Sequence, residues 1–68
     1  MVEIKIETDF IKLDSFLKFT GATTLGSESK FYIQIGDVKV NGEVEIRRGK
    51  KLYPGDKVEF QEEIYIVK

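Results

Sequence analysis

Cysteine and histidine are both missing from this chain of 68 residues. Their absence excludes disulfides, thiol chemistry and a zinc site. No serine has a histidine base to activate it, and no pair of carboxylates sits in a motif that would make it an acid–base couple. The chain therefore reads as a non-enzyme, with no catalytic residue, no metal and no cofactor. Long hydrophobic runs are missing as well. The longest is Ile64-Tyr65-Ile66-Val67, a strand's length, against the ~20 residues that span a bilayer. The N-terminus lacks the pattern of a signal peptide. A soluble, cytoplasmic protein without a membrane partner is the expectation. Repeats, low-complexity segments and linkers are also absent, so residues 1–68 are expected to form one domain.

What is present is enough for a core and one unusual segment. Hydrophobic residues make up 41% of the chain and include five Phe, which argues against disorder. The length lies near the lower limit for a core that stands without staples. The net charge of −1 hides an uneven distribution. Residues 1–46 carry a net −3 and residues 58–68 a net −2, whereas residues 47–57 carry +4. A concentrated basic spot on a small acidic fold points to a polyanionic partner.

Along the chain, Val2, Ile4 and Ile6 alternate with Glu3, Lys5 and Glu7, the period of a half-buried strand. Leu13, Phe16, Leu17 and Thr20 fall at helical spacing, with Gly21 where a left-handed C-terminal residue belongs. Asp14 suits an N-cap or a first-turn acid. Ala22–Gly26 reads as a loop. Ser27 is the expected N-cap of a second helix through Glu28–Ile35, ended by Gly36, with Ser29 and Ile33 on one face. Both helices are too short to persist without tertiary packing.

Asn41-Gly42 is the strongest two-residue hairpin signal in the chain. A two-residue loop, however, places Val38 and Val40 on the same face as Glu43 and Glu45. A three-residue loop, Asn41–Glu43, places Val38, Val40, Val44 and Ile46 together instead, and a sheet with one buried face favours this longer loop. Tyr53-Pro54-Gly55-Asp56 matches a type II turn, with Asp56 as its cap rather than a catalytic acid. Val58 and Phe60 alternate with charged neighbours. Glu62-Glu63 reads as a solvated turn before a last strand at Ile64–Val67.

Several of these pieces together resemble a known module. K-L-D-S-F-L-K-F from Lys12, I-Q-I-G-D-V-K-V-N-G from Ile33, and R-R-G-K-K-L-Y-P-G-D from Arg47 are similar to the S-four RNA-binding domain, named after ribosomal small-subunit protein four. More narrowly they resemble its free-standing YaaA/YbcJ-like family. The resemblance runs over residues 11–60, with strands added at both ends. It implies an α+β fold in which two short helices pack on a small, mostly antiparallel sheet (the αL RNA-binding motif). It also implies an RNA-binding surface built from the two helices and the adjacent β-loop, and an association with ribosomes and large-subunit maturation. Many relatives carry an Arg near the position of Gly26 and another at Lys12. Their replacement here shifts the expected affinity toward the 47–51 loop.

Arg47, Arg48, Gly49, Lys50 and Lys51 are the first candidates for RNA contact. Guanidinium forks onto phosphate oxygens, Lys supplies a point charge, and Gly49 allows a tight turn or a close approach. A solvated turn without a partner is the alternative for such a run taken alone. Lys12, Lys18 and Lys30 are secondary phosphate candidates, each alone an ordinary exposed Lys. Phe16, Phe31 and Tyr32 are possible stacking platforms. Core packing is the stronger reading for Phe16, and one of Phe31 and Tyr32 is expected to be exposed. Tyr53, beside the basic loop, is the preferred stacking candidate.

The reading that follows is a monomeric protein binding structured RNA, specifically ribosomal RNA or a pre-ribosomal particle. The alternative is a protein-interaction adaptor that uses sheet edges at Val2–Thr8 and Ile64–Val67. A third reading, the RNA-targeting piece of a larger modifying enzyme, fits poorly with a chain that begins with Met and carries no second domain.

Overall fold

The alternation of apolar and charged residues becomes a sheet in the computed structural model, which describes residues 1–68 throughout. The elements in chain order are β1 (Val2–Ile4), β2 (Ile11–Lys12), α1 (Leu13–Phe19), α2 (Gly26–Gln34), β3 (Val38–Val40), β4 (Glu43–Val44), β5 (Lys51–Leu52), β6 (Lys57–Phe60) and β7 (Glu63–Val67). The main sheet runs in the order β1-β7-β6-β3-β4, parallel only between β1 and β7. β2 and β5 form a separate two-stranded antiparallel ribbon. This is the expected α+β arrangement of two helices on a mostly antiparallel sheet.

One sheet face is apolar because β3 and β6 alternate in phase: Val38 lies opposite Phe60 and Val40 opposite Val58, and all four are buried. Leu13, Phe16 and Leu17 of α1, Ile33 of α2, Leu52 of β5, Val67 of β7 and Ile6 complete the core. Phe16 is fully enclosed and meets Tyr65 edge-on. Ser29 and Ile33 share the inward face of α2, where Ser29 bonds the hydroxyl of buried Thr23. Gly21 and Gly36 end the helices at φ +84 and +87, a region that L side chains rarely occupy.

Asp14 is a first-turn acid of α1 rather than its N-cap. Ser27 does not cap α2, which begins one residue earlier, at Gly26. The capping falls to Glu28, whose Oε1 accepts the backbone N–H groups of Thr24 (2.8 Å) and Leu25 (3.0 Å). A carboxylate that reaches two donors satisfies more of the helix end than one serine hydroxyl. The same two bonds, that of Thr24 first, lower the Glu28 pKa.

The hairpin register also differs from expectation. Val40 pairs with Glu43 and Lys39 with Val44, so the loop is the two residues Asn41-Gly42, both at positive φ. The three-residue loop assumed that the second strand has a buried face. β4 has none: it is the sheet edge, and Val44 and Ile46 remain 55% and 60% exposed. With no face to protect, turn chemistry decides the register. The Asn41 side chain also ties this turn to the next one, donating to Asp56 Oδ1 (3.1 Å) and accepting the Lys57 N–H (3.0 Å).

At the other side of the sheet, β1 is an edge, whereas β7 is interior, flanked by β1 and β6. The regular part of the first strand stops at Ile4, yet Ile6 still donates to the Lys68 carbonyl (3.0 Å). The turn into β7 places Gln61 and Glu62 at φ +51 and +67, so Glu62 belongs to the turn and Glu63 already to the strand. No helix is long and apolar enough to cross a membrane.

Candidate nucleic-acid interface

The basic segment is held at three levels. Its backbone turns on a bond from the Lys50 N–H to the Arg47 carbonyl (3.2 Å). Its carbonyls then face the start of α1: Leu13 N–H donates to the Lys50 carbonyl (2.8 Å) and Asp14 N–H to the Arg48 carbonyl (3.1 Å). No side chain caps α1. Two of the N–H groups that every helix leaves without an internal partner are thus satisfied by the loop itself. At the far end, Lys51 and Leu52 enter the ribbon, opposite Lys12 and Ile11.

Arg47 is engaged inside the protein. Its Nε and Nη2 fork onto Oε2 (2.9 Å) and Oε1 (3.0 Å) of Glu45, and its own backbone N–H donates to Oε2 (3.0 Å). The Glu45 side chain keeps only 12% of its accessible surface, that of Arg47 71%. The guanidinium bond holds the Glu45 carboxyl down at about 2, against an upward push from partial burial. The Arg47 backbone N–H and the charges of Arg47 and Lys50 add to the lowering. Arg47 is shifted upward by the same partner. Charge-assisted bidentate contacts of this kind fix geometry more than they add stability at an exposed site.

The other cations of the region form no ion pair. The ion pairs in the fold are Arg47–Glu45 and Lys68–Glu3, so Arg48, Lys50, Lys51 and Lys12 have no acid at bonding range. The loop and the ribbon bring these four together. Lys18 is exposed on α1, in a shallow groove with Ile11, Ser15 and Phe19. Lys30 is exposed on α2, which packs chiefly on α1. Gly49 lies outside the left-handed region, and a Cβ there would meet nothing within 4 Å. The turn therefore does not require glycine, and the backbone at that point is open to close approach.

Among the aromatics, Phe31 is exposed and Tyr32 packs on Phe60 at 5.1 Å between ring centroids. Tyr53 is 49% exposed. Its backbone is fixed by the turn: its N–H donates to Asp56 Oδ2 (2.8 Å), its carbonyl accepts the Asp56 N–H (3.0 Å), and Gly55 has φ +102. Its ring lies 6.0 Å from that of Phe10. The sequence reading missed Phe10 and the ribbon. The available signal was the F-I-K and K-L-Y pair flanking the motif.

Three comparisons bear on this geometry. The family model described as S4 domain matches residues 4–68. The probable ribosome maturation protein RlbA of Bacillus subtilis (strain 168) is 41% identical over 58 residues, 85% of this chain and 82% of that protein. The solution structure of YbcJ from E. coli, described as revealing an αL motif involved in RNA binding, superposes with a TM-score of 0.74 at 31% identity. The superposition covers 98% of this chain and 86% of YbcJ.

Proposed function

The chain belongs to the S4 domain family, and on that premise we propose that it is a non-enzymatic protein that binds structured RNA. The observation that carries the reading is the gathering of Arg48, Lys50, Lys51 and Lys12, none of them in a salt bridge, on one loop and ribbon of a protein whose net charge is −1. A polyanion supplies the missing counter-charges, and its close-range attraction to this spot works in spite of the acidic remainder because salt screens the more distant acids first. A-form RNA presents phosphates and 2′-OH groups rather than a readable major groove, which suits a small rigid surface that recognises shape. The partner is ribosomal RNA or a pre-ribosomal particle and the role large-subunit maturation. The name of the B. subtilis relative supports a role in ribosome maturation, and the description of the E. coli structure supports RNA binding. The protein acts as a monomer.

The test is co-sedimentation with ribosomal particles from cell extract, with and without RNase, using wild type and an Arg48→Glu/Lys51→Glu variant. Association that disappears with RNase and with the charge reversal is the expected result. A complex that survives both treatments would replace the RNA reading with that of a protein-interaction adaptor, for which β1 supplies an edge.

A further inference from the structure

The β2–β5 ribbon has two unlike faces. Ile11 and Leu52, directly opposite each other, turn toward the core, and Leu52 is fully buried. The residues on either side of them therefore turn outward. Lys12 and Lys51 are directly opposite on that outer face, and one step along are the rings of Phe10 and Tyr53, 6.0 Å apart and tilted by 46°. Lys51 Nζ stands 4.8 Å from the centre of the Phe10 ring, a cation–π contact across the ribbon.

Two features of this face are unfavourable for a protein on its own. Like charges placed opposite each other in an antiparallel pair repel, and neither Lys has an acid at bonding range. Tyr53 leaves half its surface in water although its backbone is pinned on both sides by Asp56. One ligand relieves both: a planar group to cover the ring and an anion to sit between the ammonium groups. A nucleotide carries the two, joined by a sugar. In a continuous duplex the base faces are hidden in the stack, so only an unpaired nucleotide can present one.

We propose that the outer face of the β2–β5 ribbon takes one unpaired nucleotide of the RNA, with its base on Tyr53 backed by Phe10 and its phosphate held by Lys12 and Lys51. The inference rests on the RNA-binding reading above and narrows it: the target contains a bulge, loop or junction nucleotide at the contact, not an uninterrupted helix. The fixed backbone of Tyr53 lowers the ordering cost of the stack.

The test uses two RNA duplexes, one blunt and fully paired, the other identical but with one extrahelical 2-aminopurine. Binding of the full chain is followed by anisotropy at low salt, and stacking by 2-aminopurine quenching. Wild type is expected to prefer the bulged duplex by about 5- to 150-fold, the range that base–aromatic stacking supplies, and to quench the probe. Tyr53→Leu is expected to lose both the preference and the quenching, while Tyr53→Phe retains them. Circular dichroism confirms that each variant is folded. Equal, salt-sensitive binding of both duplexes by wild type would overturn the nucleotide site and leave RNA binding intact. A preference that persists in Tyr53→Leu would overturn it equally. Absence of salt-sensitive binding to either duplex would overturn both readings.

Discussion

Replacing Glu45 and Arg47 together, as Glu45→Gln/Arg47→Met, removes one negative and one positive charge that the fold already holds against each other. Replacing Arg48 and Lys51, as Arg48→Met/Lys51→Met, removes two cations that form no salt bridge within the fold. The two double variants should differ in the salt dependence of RNA binding. Each phosphate neutralised on a duplex contributes about −0.9 to the slope of log affinity against log salt. With Arg48, Lys50, Lys51 and Lys12 engaged, the wild-type slope is about −3.6, roughly a hundredfold loss of affinity for a fourfold rise in salt. Without Arg48 and Lys51 the slope falls to about −1.8, and the loss to about tenfold. The Glu45/Arg47 variant should bind more weakly than wild type, because its loop is less ordered, yet keep the wild-type slope. Anisotropy titrations of a labelled RNA hairpin over a potassium chloride series measure this directly. A slope that flattens as much in the Glu45/Arg47 variant as in the Arg48/Lys51 variant would show that Arg47 contacts phosphate, and the division of the loop into a positioning pair and free cations would be wrong.

Other expectations concern the fold. Because the folded Glu45 carboxyl sits at about 2, below its ordinary value of 4.5, its contribution to stability is fully present above the unfolded value and is lost progressively as pH falls from there through about 2. An NMR titration of the Glu45 carboxyl checks this, and a midpoint near 4.5 would contradict it. Gln61→Asn/Glu62→Gly relieves two non-glycine residues of positive φ and should raise stability by about 1 kcal/mol, about 4–8 °C in melting temperature for a domain of this size. Ser29→Ala leaves the buried Thr23 hydroxyl without its partner and should cost about 1–3 kcal/mol in urea unfolding, much of it recovered in Thr23→Val/Ser29→Ala. Gly49→Ala, with open space at its Cβ and an ordinary φ, should leave stability unchanged or raise it by up to ~1 kcal/mol; a measured loss would mean that the turn depends on glycine after all.

Much of the frame was legible in the residues. The alternation at Val38/Val40 and Val58/Phe60, the stripe of Leu13, Phe16 and Leu17, and the Tyr53–Asp56 turn each depend on local spacing, and each is found in the structure. What escaped depends on neighbours distant in sequence. The ribbon strands have two residues each, too few to show a period, so Phe10 was not connected to Tyr53. The hairpin register was not legible because a buried face fixes register only where a neighbouring layer covers it, and β4 is an edge that lacks one. The Glu45–Arg47 fork depends on a bend between residues two apart, which no regular spacing announces. Ser27 looked like the better cap by residue type, but Glu28 reached further.

The bonds from Leu13 and Asp14 to the carbonyls of Lys50 and Arg48 make the first turn of α1 a composite of two distant parts of the chain. α1 has seven residues, too few to nucleate alone, so its opening turn is completed only after the later segment has docked. Loop and helix thus form one cooperative unit for local opening. A partner that clamps the loop slows hydrogen exchange at the Leu13 and Asp14 amides without touching them. Loop length is constrained for the same reason: both carbonyls must meet their amides at once, which leaves side chains free to change while the spacing from 48 to 50 is kept.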